Sequence, residues 1–263
     1  MKKLNVLILS SFIALSGCGT VAEMAGYNTA ALNAEAAKSY MQIQQQAQAK
    51  QMIDTSSQTA KRIQTVFERL KPFANQANKT GVPFNWEMTV IREDTLNAWA
   101  MPGGKMAFYT GMVEQLNLSD AEIAAVIGHE MTHALLEHSK KDAGQKILTG
   151  LTMQVGTALL SSQGIGGDAV NLGASLLSDL GIDKPYSRNQ ESQADAGGLR
   201  LMAQAGYNPQ AAISVWEKMN KVNNNNNAFN AIVSTHPNNN ARIKAMQTLL
   251  PEILPIYNAA AKP

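Results

Sequence analysis

Apolar positions fall into three kinds of pattern along the chain. From residue 28 to 71 an Ala-, Gln- and Lys-rich stretch carries Leu32, Tyr40, Ile43, Met52, Ile63, Val66, Phe67 and Leu70 at near-helical spacing, which predicts one or two helices packed on a domain or forming a stalk. Between Val82 and Thr110 the period changes to two. Phe84, Trp86, Met88 and Val90 alternate with polar neighbours, and Ala98, Ala100, Met106 and Phe108 continue the alternation around the turn signal Pro102-Gly103-Gly104. This predicts a small antiparallel sheet. The helical period then returns. Ser119 followed three residues later by Glu122 is a capping box ahead of Ile123, Val126 and Ile127, so a helix is expected from about Asp120 to His138. Ser187 should cap another helix that Gly206 closes, Pro209 opens a further one, and Pro237 begins a last one with Ile243, Met246, Leu249 and Leu250 on its apolar side. The expected class is α+β, mostly helical, with the small sheet beside the helix that starts at Asp120.

Residues 147 to 167 contain no charge. Their Gln, Ser, Thr and Gly content argues for a helix-loop-helix excursion rather than a membrane span. Asn223 to Asn227 is a low-complexity loop. At the start, Lys2 and Lys3 precede an apolar run from Leu4 to Leu15, too short to span comfortably, which is the form of a secretory signal. The expected division is a signal over 1–17, a helical linker region over 18–71, a main domain over 72–252 and a tail over 253–263.

Composition narrows the chemistry. The 263 residues, 45% hydrophobic and 16% charged, suit one substantial core. Without Lys2 and Lys3 the 22 basic residues become 20 against 20 acidic ones, so no nucleic-acid partner is indicated. The single cysteine, Cys18, ends the string Leu15-Ser16-Gly17-Cys18, which resembles the lipobox of bacterial lipoproteins. That resemblance implies acylation at Cys18 and a membrane anchor without a transmembrane helix, and by lipoprotein sorting Gly19 favours the periplasmic face of the outer membrane. Any metal site must therefore draw on His and carboxylates.

The chain has four histidines, and two of them lie in the string HEMTH, His129 to His133. Random placement of the His and Glu residues would give roughly 0.003 such strings. On a helix, residues four apart share a face, so His129 and His133 can bind one ion. A catalytic zinc takes three protein ligands and keeps a position for water. Candidates for the third are His138, His236 and the carboxylates. His138 is expected on another face, as a surface or packing histidine. The best candidate is Glu191: in Glu191-Ser192-Gln193-Ala194-Asp195 two acids stand one turn apart, beside Ala196, Gly197 and Gly198, which are small enough for close helix packing. Asp195 would then orient a ligand histidine.

HEMTH, ESQAD and the strings NAWAMPGGKMAFYTGM, PYSRNQESQAD, MAQAGYNP and STHPNNNAR together resemble the gluzincin metallopeptidases of the HtpX and BepA type, in the same order, from about Asn97 to Arg242. The resemblance implies that fold, zinc dependence and endopeptidase activity. His129, His133 and Glu191 would be ligands, Glu130 the catalytic acid/base and Asp195 the supporting acid, with His236 and Arg242 near the cleft. His236 is the first candidate for stabilising an oxyanion. Substrate would add as a strand along Asn97, Ala98, Trp99 and Ala100. The chain lacks the transmembrane helices of HtpX, and no 34-residue helical repeat of the BepA kind is visible, so it is similar to the minimal lipoprotein members of the group. The expected substrates are unfolded or misassembled envelope proteins; the alternative is a zinc-bound lipoprotein that holds such proteins without cutting them.

Overall fold

The computed structural model describes residues 17–161, 185–221, 235–236 and 240–263. The apolar leader, the asparagine run 223–227 and the second half of the predicted excursion lie outside them. The described elements are α1 (Cys18–Met24), α2 (Thr29–Ala49), α3 (Gln58–Ala77), β1 (Glu87–Ile91), β2 (Ala98–Met101), β3 (Lys105–Tyr109), α4 (Thr110–Gln115), α5 (Asp120–Leu135), α6 (His138–Ser161), α7 (Arg188–Gln204), α8 (Gln210–Lys221) and α9 (Asn240–Ala259). No described helix is long and apolar enough to cross a membrane.

The α+β class holds, but the sheet is mixed. Strand order is β1-β3-β2, with β2 antiparallel and β1 parallel to β3. Physically, β2 and β3 form a tight hairpin around Pro102–Gly104, which leaves β3 one free edge; β1 occupies it, so the link 92–97 must carry the chain past β3. Gly104 makes the hairpin possible: its φ is +83°, and a Cβ there would stand 2.6 Å from the Trp86 ring.

The period-two pattern sorts side chains to two faces. Val90, Ala98, Ala100, Met106 and Phe108 join the main core, where α3 inserts Ile63, Val66, Phe67, Leu70 and Ala74. Ile91, Trp99, Met101 and Ala107 face the other way, under Leu32, Ala36 and Tyr40 of α2. Tyr40 donates its hydroxyl hydrogen to the Met106 carbonyl at 2.9 Å and lies 2.6 Å from the Thr89 hydroxyl. Helix α2 is thus built onto the sheet rather than standing off as a stalk.

Helix α5 opens on the predicted capping box, with Ser119 and Glu122 bonding reciprocally. It stops sooner than expected. Glu137 takes a left-handed φ of 53°, held where its carboxylate accepts from the Thr29 hydroxyl at 2.6 Å, and α6 starts afresh at His138. Helix α7 crosses α5 with Gly198 against Gly128: a Cβ on Gly198 would lie 2.8 Å from the His129 nitrogen. The last helix runs on through Pro251 and Pro255 to Ala259, and Ile253 is fully buried, so 253–263 is not a detached tail.

Candidate metal centre

The α5–α7 crossing sets the site. On α5, His129 and His133 project from one face with their Nε2 atoms 3.0 Å apart. On α7, whose N-terminus is fixed by a Ser187–Gln190 capping box, Glu191 brings Oε1 to 3.4 Å from His133 Nε2 and Oε2 to 3.5 Å from His129 Nε2. His236 completes the group: its Nδ1 lies 3.1 Å from Glu191 Oε1 and 3.3 Å from His129 Nε2. One donor atom from each of these four residues lies within 4.8 Å of the others, and all four are buried.

The donor set fits zinc: three imidazole nitrogens and a carboxylate converge on one point. The electrostatics ask for a cation as well. Burial would lower the His129 pKa, yet the Asp195 and Glu191 carboxylates beside its ring raise it to about 10. Burial would raise the Glu191 carboxyl, but His129, His133 and His236 hold it far below the carboxylate range. His133 is driven well below its ordinary value by burial, so it stays neutral, as a ligand must. Glu191 Oε2 is ion-paired with Arg242, 2.6 Å from its Nη1.

The surrounding shell is tied to the ligands. Asp195, one turn beyond Glu191, places Oδ1 3.1 Å from His129 Nδ1. Arg242 grips Asp195 through Nε and Nη2 at 2.8 and 2.6 Å, and its guanidinium lies 3.9 Å from the Trp216 ring centroid. The guanidinium is thus committed to the two acids and the indole. Glu130 is buried beside this group, with Oε1 3.4 Å from His236 Nε2, and burial raises its pKa. A cavity of about 30 Å³, room for one or two waters, reaches Glu130, His129 and His236 from an apolar side that includes Val126, Trp216 and Met219.

Sequence reasoning read one residue only in part: His138 is a packing histidine outside the donor group, but it does not lie on another face of the same helix. Assuming an unbroken helix, that reasoning put His138 on another face, as a surface or packing histidine. His138 is wholly buried and, because the chain turns back at Glu137, its Nδ1 lies 2.8 Å from His133 Nδ1. No glycine or asparagine marks that break, so the sequence carries no ordinary signal for it. The Tyr186 ring stacks on His133 at 3.9 Å between centroids. The predicted substrate strand β2 is an outer strand of the sheet, and Trp99 turns its ring into the core beside Tyr40. Asn97 is 9% exposed, and its buried Oδ1 has no hydrogen-bond partner.

Residues 57–250 match the sequence profile of Peptidase family M48. The chain is 36% identical over 178 residues to the mitochondrial metalloendopeptidase OMA1 of Arabidopsis thaliana, covering 66% of this chain and 34% of that protein. It is 34% identical over 167 residues to the mitochondrial metalloendopeptidase OMA1 of Schizosaccharomyces pombe, covering 64% and 47%. It is 34% identical over 170 residues to the metalloprotease LoiP of Escherichia coli, covering 64% and 62%. The chain thus spans from a third to under two thirds of the length of these relatives.

Proposed function

This chain belongs to peptidase family M48, and on that premise we propose that it is a zinc metalloendopeptidase. The observation that carries the proposal is the convergence of His129, His133 and Glu191, with Glu130 buried at their side. These three residues would hold the ion, with His236 beside them, its Nδ1 3.1 Å from Glu191 Oε1. Bound there, zinc supplies Lewis-acid chemistry, polarising the scissile carbonyl and acidifying water.

The chain's own groups do the rest. Glu130 accepts a proton as a water oxygen bonds to the carbonyl carbon, then delivers it to the amide nitrogen as the C–N bond breaks. Its raised pKa suits a group that must both take and return a proton. His236 offers Nε2 on the Glu130 side and would hydrogen-bond the developing oxyanion. Asp195 and Arg242 keep His129 and Glu191 in place. Substrate would lie extended along β2, pairing with the backbone of Asn97, Ala98, Trp99 and Ala100.

The finer reading places this activity at a membrane surface. Cys18 would be acylated, anchoring the chain on the periplasmic side of the outer membrane, and its substrates would be unfolded or misassembled envelope proteins. Labelled fatty acid should enter the wild type and not Cys18→Ala. For the activity, the full chain is extracted in detergent, its zinc content measured, and cleavage of an unfolded protein followed for wild type and Glu130→Gln. We expect zinc in both and a loss of about 10²–10⁴-fold in cleavage for the variant. A wild type that holds zinc and captures unfolded protein but cuts nothing makes it a binder instead.

A further inference from the structure

The two histidines that present Nε2 to the donor group are backed differently at Nδ1. His129 has a carboxylate there, Asp195 Oδ1 at 3.1 Å. His133 has a second imidazole, His138 Nδ1 at 2.8 Å, and His138 Nε2 in turn lies 3.1 Å from the side-chain oxygen of Gln193. The order of protons along this row is not free. An amide oxygen only accepts, so His138 Nε2 must carry hydrogen; a neutral imidazole has one N–H, so His138 Nδ1 is a lone pair. His133 Nδ1 must then be the donor, which leaves its Nε2 lone pair aimed at Glu191 and His129. The opposite order, with the Gln193 amide nitrogen donating, ends with a hydrogen on His133 Nε2, where it blocks ligation.

Other contacts remove the remaining freedom. Tyr186 stacks on His133 with 19° between ring planes, which fixes the plane of the ring but not which nitrogen faces the ion. His138 is held at the start of α6, where its carbonyl accepts from Gln190 Nε2 at 3.5 Å. Asp195, Glu191 and Glu130 already place three carboxylates in this buried volume, and a fourth at position 138 would add negative charge that burial penalises. A neutral acceptor supplies orientation without that charge. We propose that His138, set by Gln193, is a positioning residue that fixes the tautomer and orientation of His133 for zinc. The inference rests on the zinc reading above.

The test uses the full chain. Zinc affinity is measured by competition with a chromogenic chelator, and the visible absorption of the cobalt-loaded protein gives a second readout. His138→Leu keeps bulk and removes the acceptor; His138→Asn puts an amide oxygen where Nδ1 stands. We expect His138→Leu to weaken zinc binding about 10–100-fold and to shift the cobalt bands, and His138→Asn to recover most of both. At exposed position 193, where folding is not at stake, Gln193→Glu still accepts and should bind like wild type, whereas Gln193→Lys only donates and should bind more weakly. Equal affinities in His138→Leu and His138→Asn, or in Gln193→Glu and Gln193→Lys, overturn the inference. Wild-type affinity in His138→Leu beside lost affinity in His133→Ala overturns it alone. A wild type that takes up no zinc, or an unaffected His133→Ala, overturns the zinc reading and this inference with it.

Discussion

Arg242 shows how much a single distant residue decides. Forty-seven positions after Asp195, its fork bridges the carboxylates of Asp195 and Glu191, with the Trp216 indole at its face. Removing one partner of a buried ion pair leaves an uncompensated charge, at about 3–5 kcal/mol. Arg242→Met should therefore lower denaturant stability by about that much, measured in chelator so that zinc binding does not contribute. Arg242→Lys should recover only part, because an ammonium cannot offer two parallel N–H groups to the Asp195 carboxylate. Local spacing made His129, Glu130 and His133 legible, since helix periodicity alone puts 129 and 133 on one face. Glu191 and Asp195 were legible for the same reason. Arg242 and His236 were legible only by family resemblance, because contacts between elements leave no period in the sequence. The contact of His138 with His133 was not legible, because it depends on Glu137 adopting a backbone conformation that its residue type does not announce.

At the scale of elements, the ligand geometry depends on how closely α5 and α7 approach. Gly198 meets the Gly128–His129 backbone with no room for a Cβ. Gly198→Ala should push the helices apart and cost about 1–3 kcal/mol, and because the shift separates His129 from Glu191, zinc affinity should fall with it; chelator competition measures the second effect. The start of α5 gives a pH signature away from the metal. Burial would raise the Glu122 carboxyl, but hydrogen bonds from Lys218, Ser214 and Ser119 together hold it below its ordinary value. A carboxyl more acidic in the folded than in the unfolded chain adds stability above the unfolded value, about 4.3, and that increment disappears as pH falls through the folded value. The stability gap between wild type and Glu122→Gln in denaturant titrations should accordingly narrow from about pH 6 to about pH 3. The strands were legible as strands, since a period of two marks faces. Their directions were not: which edge of β3 receives β1 is decided by the hairpin at Gly103-Gly104 and by the link 92–97. The second buried face of the sheet went unread because its covering residues belong to α2, far upstream.

Across the whole molecule, the zinc site and the Tyr40 contacts of α2 lie on opposite sides of the sheet and should respond independently, although α2 touches the metal side at its first residue, where Thr29 donates to Glu137. The proposed ligands come from α5 and α7, with His236 beside them, so an ion would join elements that the backbone only brings near. A ligand that binds only the folded chain stabilises it by mass action, about 2.7 kcal/mol when free zinc is 100 times its dissociation constant. For a chain of this size that is roughly 5–10 °C in the unfolding midpoint, so calorimetry with and without chelator should show a drop of that order. Tyr40 works elsewhere, tying α2 to β1 and β3 through Thr89 and the Met106 carbonyl. Tyr40→Phe leaves that buried carbonyl without the hydroxyl and should cost about 1–3 kcal/mol. Distant sites without shared partners add within a few tenths of a kcal/mol. The Tyr40→Phe cost should therefore be the same in zinc and in chelator, and the zinc increment the same in both proteins. A Tyr40→Phe cost that grows when zinc is removed would mean that α2 and the metal site are coupled through the sheet, and the strand they share, β2 with Trp99 on one face and Ala98 and Ala100 on the other, would be where to look for the coupling.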